Sequence, residues 1–391
     1  MKTHNAIARS AILLTFTLLS GACRDAFDDD HDRVTSNSTT ASLVATSGVA
    51  TPIVIDQREA ALNIGVPWGS GGTHVGKQFD QNPHLGDAIV ATFVWRGSTN
   101  TITTVTDHLE DGTPVGNTYT LVEYVTADGW SMATYVATNV GNFADPAPSP
   151  DKVLAVHAIF SDAITDGGEM ISAYSGVSPG LSLAFGAHRS AAATASTTTV
   201  ADPGAISVGA GGLAYAITMA NAVTDVADPA GFSMITTAWN ATNQIDGEYA
   251  VAPAAGTVDP QWTWSFQAPS TWFATALALN PQTATHLGFQ VQPSGTLLPG
   301  SKIAPAVQVV ALDDEGNTVS GFVGSVTIAI AHDGSLMKNA HLSGTRVVTS
   351  ANGVASFADL SIDQMGMGYT LQATADNLTG VTSRSFNVTV P

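Results

Sequence analysis

Four carboxylates stand within or beside short apolar runs in the middle of this 391-residue chain: Asp107, Glu123, Glu169 and Glu248. Two such groups about 5 to 9 Å apart across a sugar would form the acid/base pair of a glycan hydrolase. Nothing in their spacing along the chain brings them together, and acidic residues at strand edges and turns are ordinarily solvated. Gly176-Val177-Ser178-Pro179-Gly180 matches a nucleophile elbow as a string. An elbow needs a strand before the serine and a helix after it, whereas Leu181 to His188 alternates like a strand, so a plain turn is expected. Gly209-Ala210-Gly211-Gly212-Leu213-Ala214 has no βαβ unit around it and reads as a turn rather than a dinucleotide loop. His74, His84, His108, His157 and His188 lack metal-ligand spacing, and His157 lies inside an apolar run as a packed core histidine would.

The tryptophans suggest a different chemistry. Trp262, Trp264 and Phe266 alternate on one strand face and read as core. Trp68, Trp130 and Trp239 instead stand beside turn residues: Pro67 and Gly69, Gly129, and Asn240. An exposed indole offers a flat apolar face with a polar edge, which suits the C–H face of a sugar. These three are the candidate glycan-binding residues, with folding back over the sandwich as the competing structural role for each. Asp313-Asp314-Glu315-Gly316-Asn317 offers oxygens to Ca²⁺, but its composition is that of an ordinary turn. No cofactor, no metal and no catalytic residue is expected.

The elements that would position these residues are strands. Asp87 to Trp95, Thr101 to Asp107, Tyr119 to Tyr124, Met132 to Thr138, Lys152 to Phe160, Leu213 to Met219, Gln261 to Phe266 and Trp272 to Asn280 are short runs between Gly/Pro/Asn turns. Sustained helical periodicity is confined to the leader. Residues 51–282 are therefore expected to form a jelly-roll-like β-sandwich. Pro281 to Thr285 reads as a linker. Residues 286–391 alternate more cleanly, with Val307/Val309/Ala311, Val326/Ile328/Ile330, Tyr369/Leu371/Ala373 and Phe386/Val388/Val390 on common faces. Such a spacing predicts an immunoglobulin-like β-sandwich. The fold class is all-β, with an N-terminal signal-peptide helix.

That leader, residues 1–22, has basic Lys2 and Arg9 followed by an apolar stretch from Ala11 to Leu19, too short to span a bilayer. Its end, Gly21-Ala22-Cys23, resembles a bacterial lipobox, in which the cysteine carries the lipid. Ser20 stands where that family prefers Leu, and Ser20 with Ala22 also fits ordinary signal peptidase. Both readings export the chain. Cys23 is the sole cysteine, so the mature protein has no disulfide, and lipidation would account for an otherwise unpaired thiol. Arg24 comes next, and in the lipoproteins this resembles its place points outward to the outer membrane or cell surface. Residues 23–50 read as a disordered tether, with Asp25, Asp28, Asp29, Asp30 and Asp32 around His31 and then a Ser/Thr-rich run. Such charge runs are usually solvated rather than metal-bound. The net charge of −19 repels nucleic acid and anionic lipid.

Two resemblances add to this reading. Gly86-Asp87-Ala88-Ile89-Val90-Ala91, Val105-Thr106-Asp107 with Gly116-Asn117-Thr118-Tyr119, and Ala173-Tyr174-Ser175-Gly176-Val177 resemble a jelly-roll-like accessory module of secreted bacterial proteins. Ala173 departs from the Glu usual in that family. Leu287 to Pro293, Leu312 to Asn317, Gly353 to Phe357 and Gly368 to Ala373 resemble the bacterial Ig-like repeats of surface and adhesion proteins. The resemblances imply a non-catalytic surface lipoprotein that binds or displays to a glycan or surface polymer, with the Ig-like module as spacer or platform. A glycan hydrolase or lyase, and a structural envelope protein with protein partners, are the alternatives.

Overall fold

A computed structural model describes residues 48–63, 72–145, 152–196, 199–293 and 296–390. The leader, Cys23, most of the tether and Trp68 lie outside the described residues. Within them the chain is almost wholly β, in antiparallel sheets, with a helical turn at Leu181–Ala184.

After a short β1 (Val49–Ala50), eight strands wind the first sandwich: β2 (Val54–Asn63), β3 (His74–Gln78), β4 (Ala88–Arg96), β5 (Ile102–Leu109), β6 (Thr120–Ala127), β7 (Trp130–Ala137), β8 (Leu154–Phe160) and β9 (Gly167–Ser175). They pair as a five-stranded sheet, β2-β9-β4-β7-β6, and a three-stranded sheet, β3-β8-β5. First strand beside last, with each neighbour crossing between layers, is the winding of a jelly roll.

The chain then repeats that winding. The strands are β10 (Phe185–Ser196), β11 (Val200–Ala201), β12 (Ile206–Val208), β13 (Leu213–Ala220), β14 (Val226–Ala227), β15 (Ser233–Trp239), β16 (Gln244–Val251), β17 (Gly256–Val258), β18 (Trp262–Trp264) and β19 (Ser270–Leu279). They form the five-stranded β10-β19-β13-β16-β15, with β11-β18-β14 and β12-β17 making the other layer. The region expected as one jelly-roll-like sandwich thus holds two like-wound sandwiches in tandem.

The two five-stranded sheets share one core. Val90, Val94, Met132, Met170 and Tyr174 of the first meet Tyr215, Ile217, Met219, Phe273 and Leu277 of the second. The other face of β4, with Ile89, Ala91, Phe93 and Trp95, fills the interior of the first sandwich. Burial on both faces explains why Ala88 to Trp95 reads as a continuous apolar run rather than an alternation. One buried polar tie crosses the shared core: Thr92 Oγ1 lies 2.8 Å from Tyr215 OH and 2.8 Å from Thr134 Oγ1. Gly247 of β16 faces Met170, whose thioether occupies the space a Cβ would need.

The expected linker is a built joint. β20 (Thr283–Ala284) pairs with β1, and the Thr51 hydroxyl lies 3.0 Å from the carbonyls of both Gly176 and Gln282. Gln282 Nε2 donates to Asp313 Oδ2 at 3.2 Å. The Ig-like module comes next: β21 (His286–Val291), β22 (Thr296–Leu297), β23 (Val307–Leu312), β24 (Ser325–His332), β25 (Leu342–Ser343), β26 (Val347–Thr349), β27 (Val354–Phe357), β28 (Ser361–Ile362), β29 (Gly366–Thr374), β30 (Val381–Thr382) and β31 (Phe386–Val388). Sheets β21-β23-β27 and β22-β31-β29-β24-β26 enclose Val307, Val309, Val326, Ile328, Tyr369, Leu371, Phe386 and Val388, the inward faces anticipated from alternation.

Candidate functional site

The four carboxylates singled out by sequence are not gathered into one site: Asp107 and Glu169 both lie in the first sandwich and both act on Tyr119, whereas Glu123 lies at the seam and Glu248 in the second sandwich. Asp107, on β5, is a staple for the loop after that strand. Its Oδ1 accepts from the N–H of Gly116 (2.9 Å) and Asn117 (3.2 Å), and its Oδ2 from Asn117 Nδ2 (2.6 Å) and Tyr119 OH (3.2 Å). Glu123 lies at the seam between the two five-stranded sheets. Its Oε1 is 2.5 Å from His188 Nδ1, and Ser190 Oγ donates to Oε2 at 2.6 Å. Glu169 is buried in β9, with neither oxygen hydrogen-bonded, and burial holds its pKa well above the usual range. Glu248 is buried in β16 of the second sandwich.

The other motifs have structural roles. Ser178 is buried where the chain crosses between sandwiches, and its N–H is bound to Asn280 O at 3.0 Å. A helical turn at Leu181–Ala184 comes after it and only then β10, so the strand expected from Leu181 begins at Phe185. Gly212 N donates to Gly209 O at 3.0 Å in a turn between β12 and β13. His157 is buried against the His108 ring at 4.1 Å between centroids, and burial lowers its pKa to about 4, which keeps it neutral. Asp313 accepts from the N–H groups of Glu315 and Asn317 at 3.1 and 2.8 Å, which makes its loop an ordinary turn.

Asp56, His84 and Asp87 bring one ligand atom each within 4.8 Å of one another, the one such group among the described residues. Asp56 Oδ2 takes the His84 N–H at 2.9 Å and His84 Nδ1 at 3.0 Å. Asp145 Oδ2 takes the Leu85 N–H at 3.2 Å. The carboxylates tie the loop before β4 to β2 and to the loop after β7, and the pKa of His84 is raised by its bond to Asp56.

Of the three tryptophans proposed for a glycan rim, Trp68 lies outside the described residues. Trp130 is only 6% exposed and belongs to the shared core. Asp128 and Gly129 both have positive φ (49° and 73°) and make a tight primed turn. The turn starts β7 with the Trp130 side chain on the face covered by the second sandwich. A turn neighbour therefore did not mean a surface position.

Trp239 is 63% exposed at the end of β15. It pairs directly with Gln244 of β16, as Thr237 pairs with Asp246 and Met234 with Glu248, and a bulge lies between Met234 and Thr236. Directly opposed residues share a face. Trp239, Gln244, Asp246 and Glu248 therefore form one strip. The hairpin tip is fixed: Asn240 Oδ1 accepts from Thr242 N and Asn243 N at 2.8 Å each. Asn243 Nδ2 reaches back to Asp166 Oδ2 of the first sandwich at 3.0 Å. Gln244 Nε2 donates to Asp246 Oδ2 at 2.9 Å.

Along β16 away from the exposed indole the strip becomes buried and acidic. Burial raises the pKa of Asp246. Glu248 is pushed up to about 8 by burial, then by the charges of Asp228 and Asp246. Neither Glu248 oxygen has a hydrogen-bond partner. Asp246 and Glu248 are two residues apart on one strand, roughly 7 Å at the backbone. The strip thus combines an open aromatic platform at one end, amide and hydroxyl groups of Asn240 and Thr242 beside it, and a buried protonated carboxyl at Glu248, farther along β16. Sequence reasoning named Trp239 and Glu248 but missed Gln244, Asp246, Asp228 and Asp166. The alternation Gln244-x-Asp246-x-Glu248 was the available signal. No family model matches this chain, and no curated protein or solved structure shows significant similarity to it.

Proposed function

We propose that this chain is an exported, non-catalytic surface protein, held at the membrane through lipidated Cys23, that binds a glycan or surface polymer at the Trp239 strip. The Ig-like module serves as spacer or platform. The observation that carries the glycan reading is the exposed Trp239 indole. It lies opposite Gln244, on a hairpin pinned to the first sandwich by Asp166. A fixed aromatic face loses little entropy on binding, and the adjoining amides and hydroxyls suit sugar hydroxyls. Affinity electrophoresis through gels cast with neutral and acidic polysaccharides tests it. Retardation by at least one polymer is the expected result. Migration unchanged in every gel removes the reading.

A second reading is favoured by the carboxyls of the strip. Glu248, its pKa raised to about 8 by burial, and Asp246 share one face of β16, and a raised-pKa acid beside a second carboxyl is the kind of pair glycoside hydrolysis uses. In that case polysaccharide incubated with the protein releases new reducing ends, and Glu248→Gln abolishes them. Absence of release leaves the binding reading alone.

A further inference from the structure

The end of the Ig-like module that lies away from the joint carries apolar side chains that nothing among the described residues covers. Gly321 abuts Thr51 at the joint, and β24 then runs eight residues, about 27 Å, from that end. Beyond it, the loop from Asp333 to Ala340 presents Leu336, 97% exposed, and Met337, 80% exposed. The segment from Asp363 into the start of β29 lies beside it and exposes Met365 and Met367. The two loops are clasped: Ser335 bridges Gly366, and Met367 N donates to Gly334 O at 3.2 Å. Asp333 stiffens the first loop by accepting from Ser335 N at 2.8 Å and Ala340 N at 2.9 Å, and Lys338 Nζ donates to its carbonyl at 2.5 Å. Side chains this exposed on loops this constrained are held out into solvent by the fold.

We propose that this tip inserts into the surface of an uncharged, zwitterionic lipid bilayer. Four Leu and Met side chains offer less than the ~800 Å² that each partner of a stable protein complex buries. The two loops contain no Trp, Tyr or Arg, the residues that anchor protein interfaces. Hydrocarbon accepts separate protruding Leu and Met side chains without needing a complementary shape, and each gains by leaving water. The charges around the tip are mixed. Lys338 stands with Asp333 and Asp363, and both carboxylates are turned onto backbone N–H groups, Asp363 onto His341 N at 2.8 Å. A tip of that kind, on a chain of net charge −19, is drawn to zwitterionic rather than anionic head groups.

The test uses the full chain carrying Cys23→Ser, so that no acyl chain can supply the binding and no other cysteine remains. Leu336→Cys is labelled with an environment-sensitive fluorophore, and Asp314→Cys at the joint end serves as the control. Phosphatidylcholine vesicles should shift the emission at 336 to the blue and leave 314 unchanged. In vesicle flotation, Leu336→Ser with Met337→Ser should weaken association more than about tenfold, with an unchanged melting temperature because both side chains are exposed. Failure of the Cys23→Ser chain to float, equal shifts at 336 and 314, or undiminished flotation of the double variant overturns the proposal. So does vesicle-independent self-association that the double variant loses, which would assign the tip to a second copy of the chain.

Discussion

At the scale of single residues, the chain keeps its carboxyls in three different settings. Asp107 accepts from four donors that converge on it. Its replacement by Ala leaves the N–H groups of Gly116 and Asn117 and the Tyr119 hydroxyl without their acceptor. The expected cost is about 3 kcal/mol in urea unfolding, since hydrogen bonds to a charged group are the strong ones. Glu123 is fully used by His188 and Ser190 across the seam. Glu248 is held as the neutral acid, its pKa raised to about 8. Its folded pKa lies above the unfolded value, so the folded state holds a proton that the unfolded chain releases. Stability from this group is complete below the unfolded pKa of about 4.5 and is lost as pH rises toward 8. Thermal melts should therefore show stability falling between pH 5 and pH 8. Glu248→Gln should remove a part of that fall on the order of 2 kcal/mol, and an identical pH profile in the variant would count against the buried neutral acid.

At the scale of elements, the pairing of β15 with β16 makes the site, and the packing of β16 on β9 supports it. Gly247 leaves room for Met170. Gly247→Ala should cost about 1 to 3 kcal/mol by overpacking. Adding Met170→Ala should make the pair less destabilising than the sum of the two single changes, by a double-mutant cycle. The elements themselves were largely legible. Val326 and Ile328, or Tyr369, Leu371 and Ala373, alternate because one face of their sheet meets the core and the other meets water. The tandem winding was not legible. β4, β9 and β19 are buried on both faces, so their sequences lose the alternation that would separate one sandwich from the next. The seam pair Glu123 and His188, 65 residues apart, depends on how whole sheets stack. Trp130 was misjudged for the same reason: a turn fixes where a strand starts, whereas the sheet laid over it decides which side chains stay exposed.

At the scale of the whole molecule, residues 49–279 behave as one body because the face of each five-stranded sheet is the other's cover. Residues 178–282 expressed alone would expose Tyr215, Ile217, Met219, Phe273 and Leu277. That piece should aggregate or bind an apolar dye, while the intact chain does neither. The joint through Thr51, Gln282 and Asp313 then carries the Ig-like module without a free linker. Across this body, the exposed Trp239 stands at the end of a strip that becomes buried and acidic along β16, and the binding reading rests there. Its most direct test is a pair of dissociation constants, by calorimetry, for wild type and Trp239→Ala against a polysaccharide that retards the wild type. The account predicts at least about tenfold weaker binding by the variant, with its melting temperature unchanged. Equal affinity in the two proteins would contradict it.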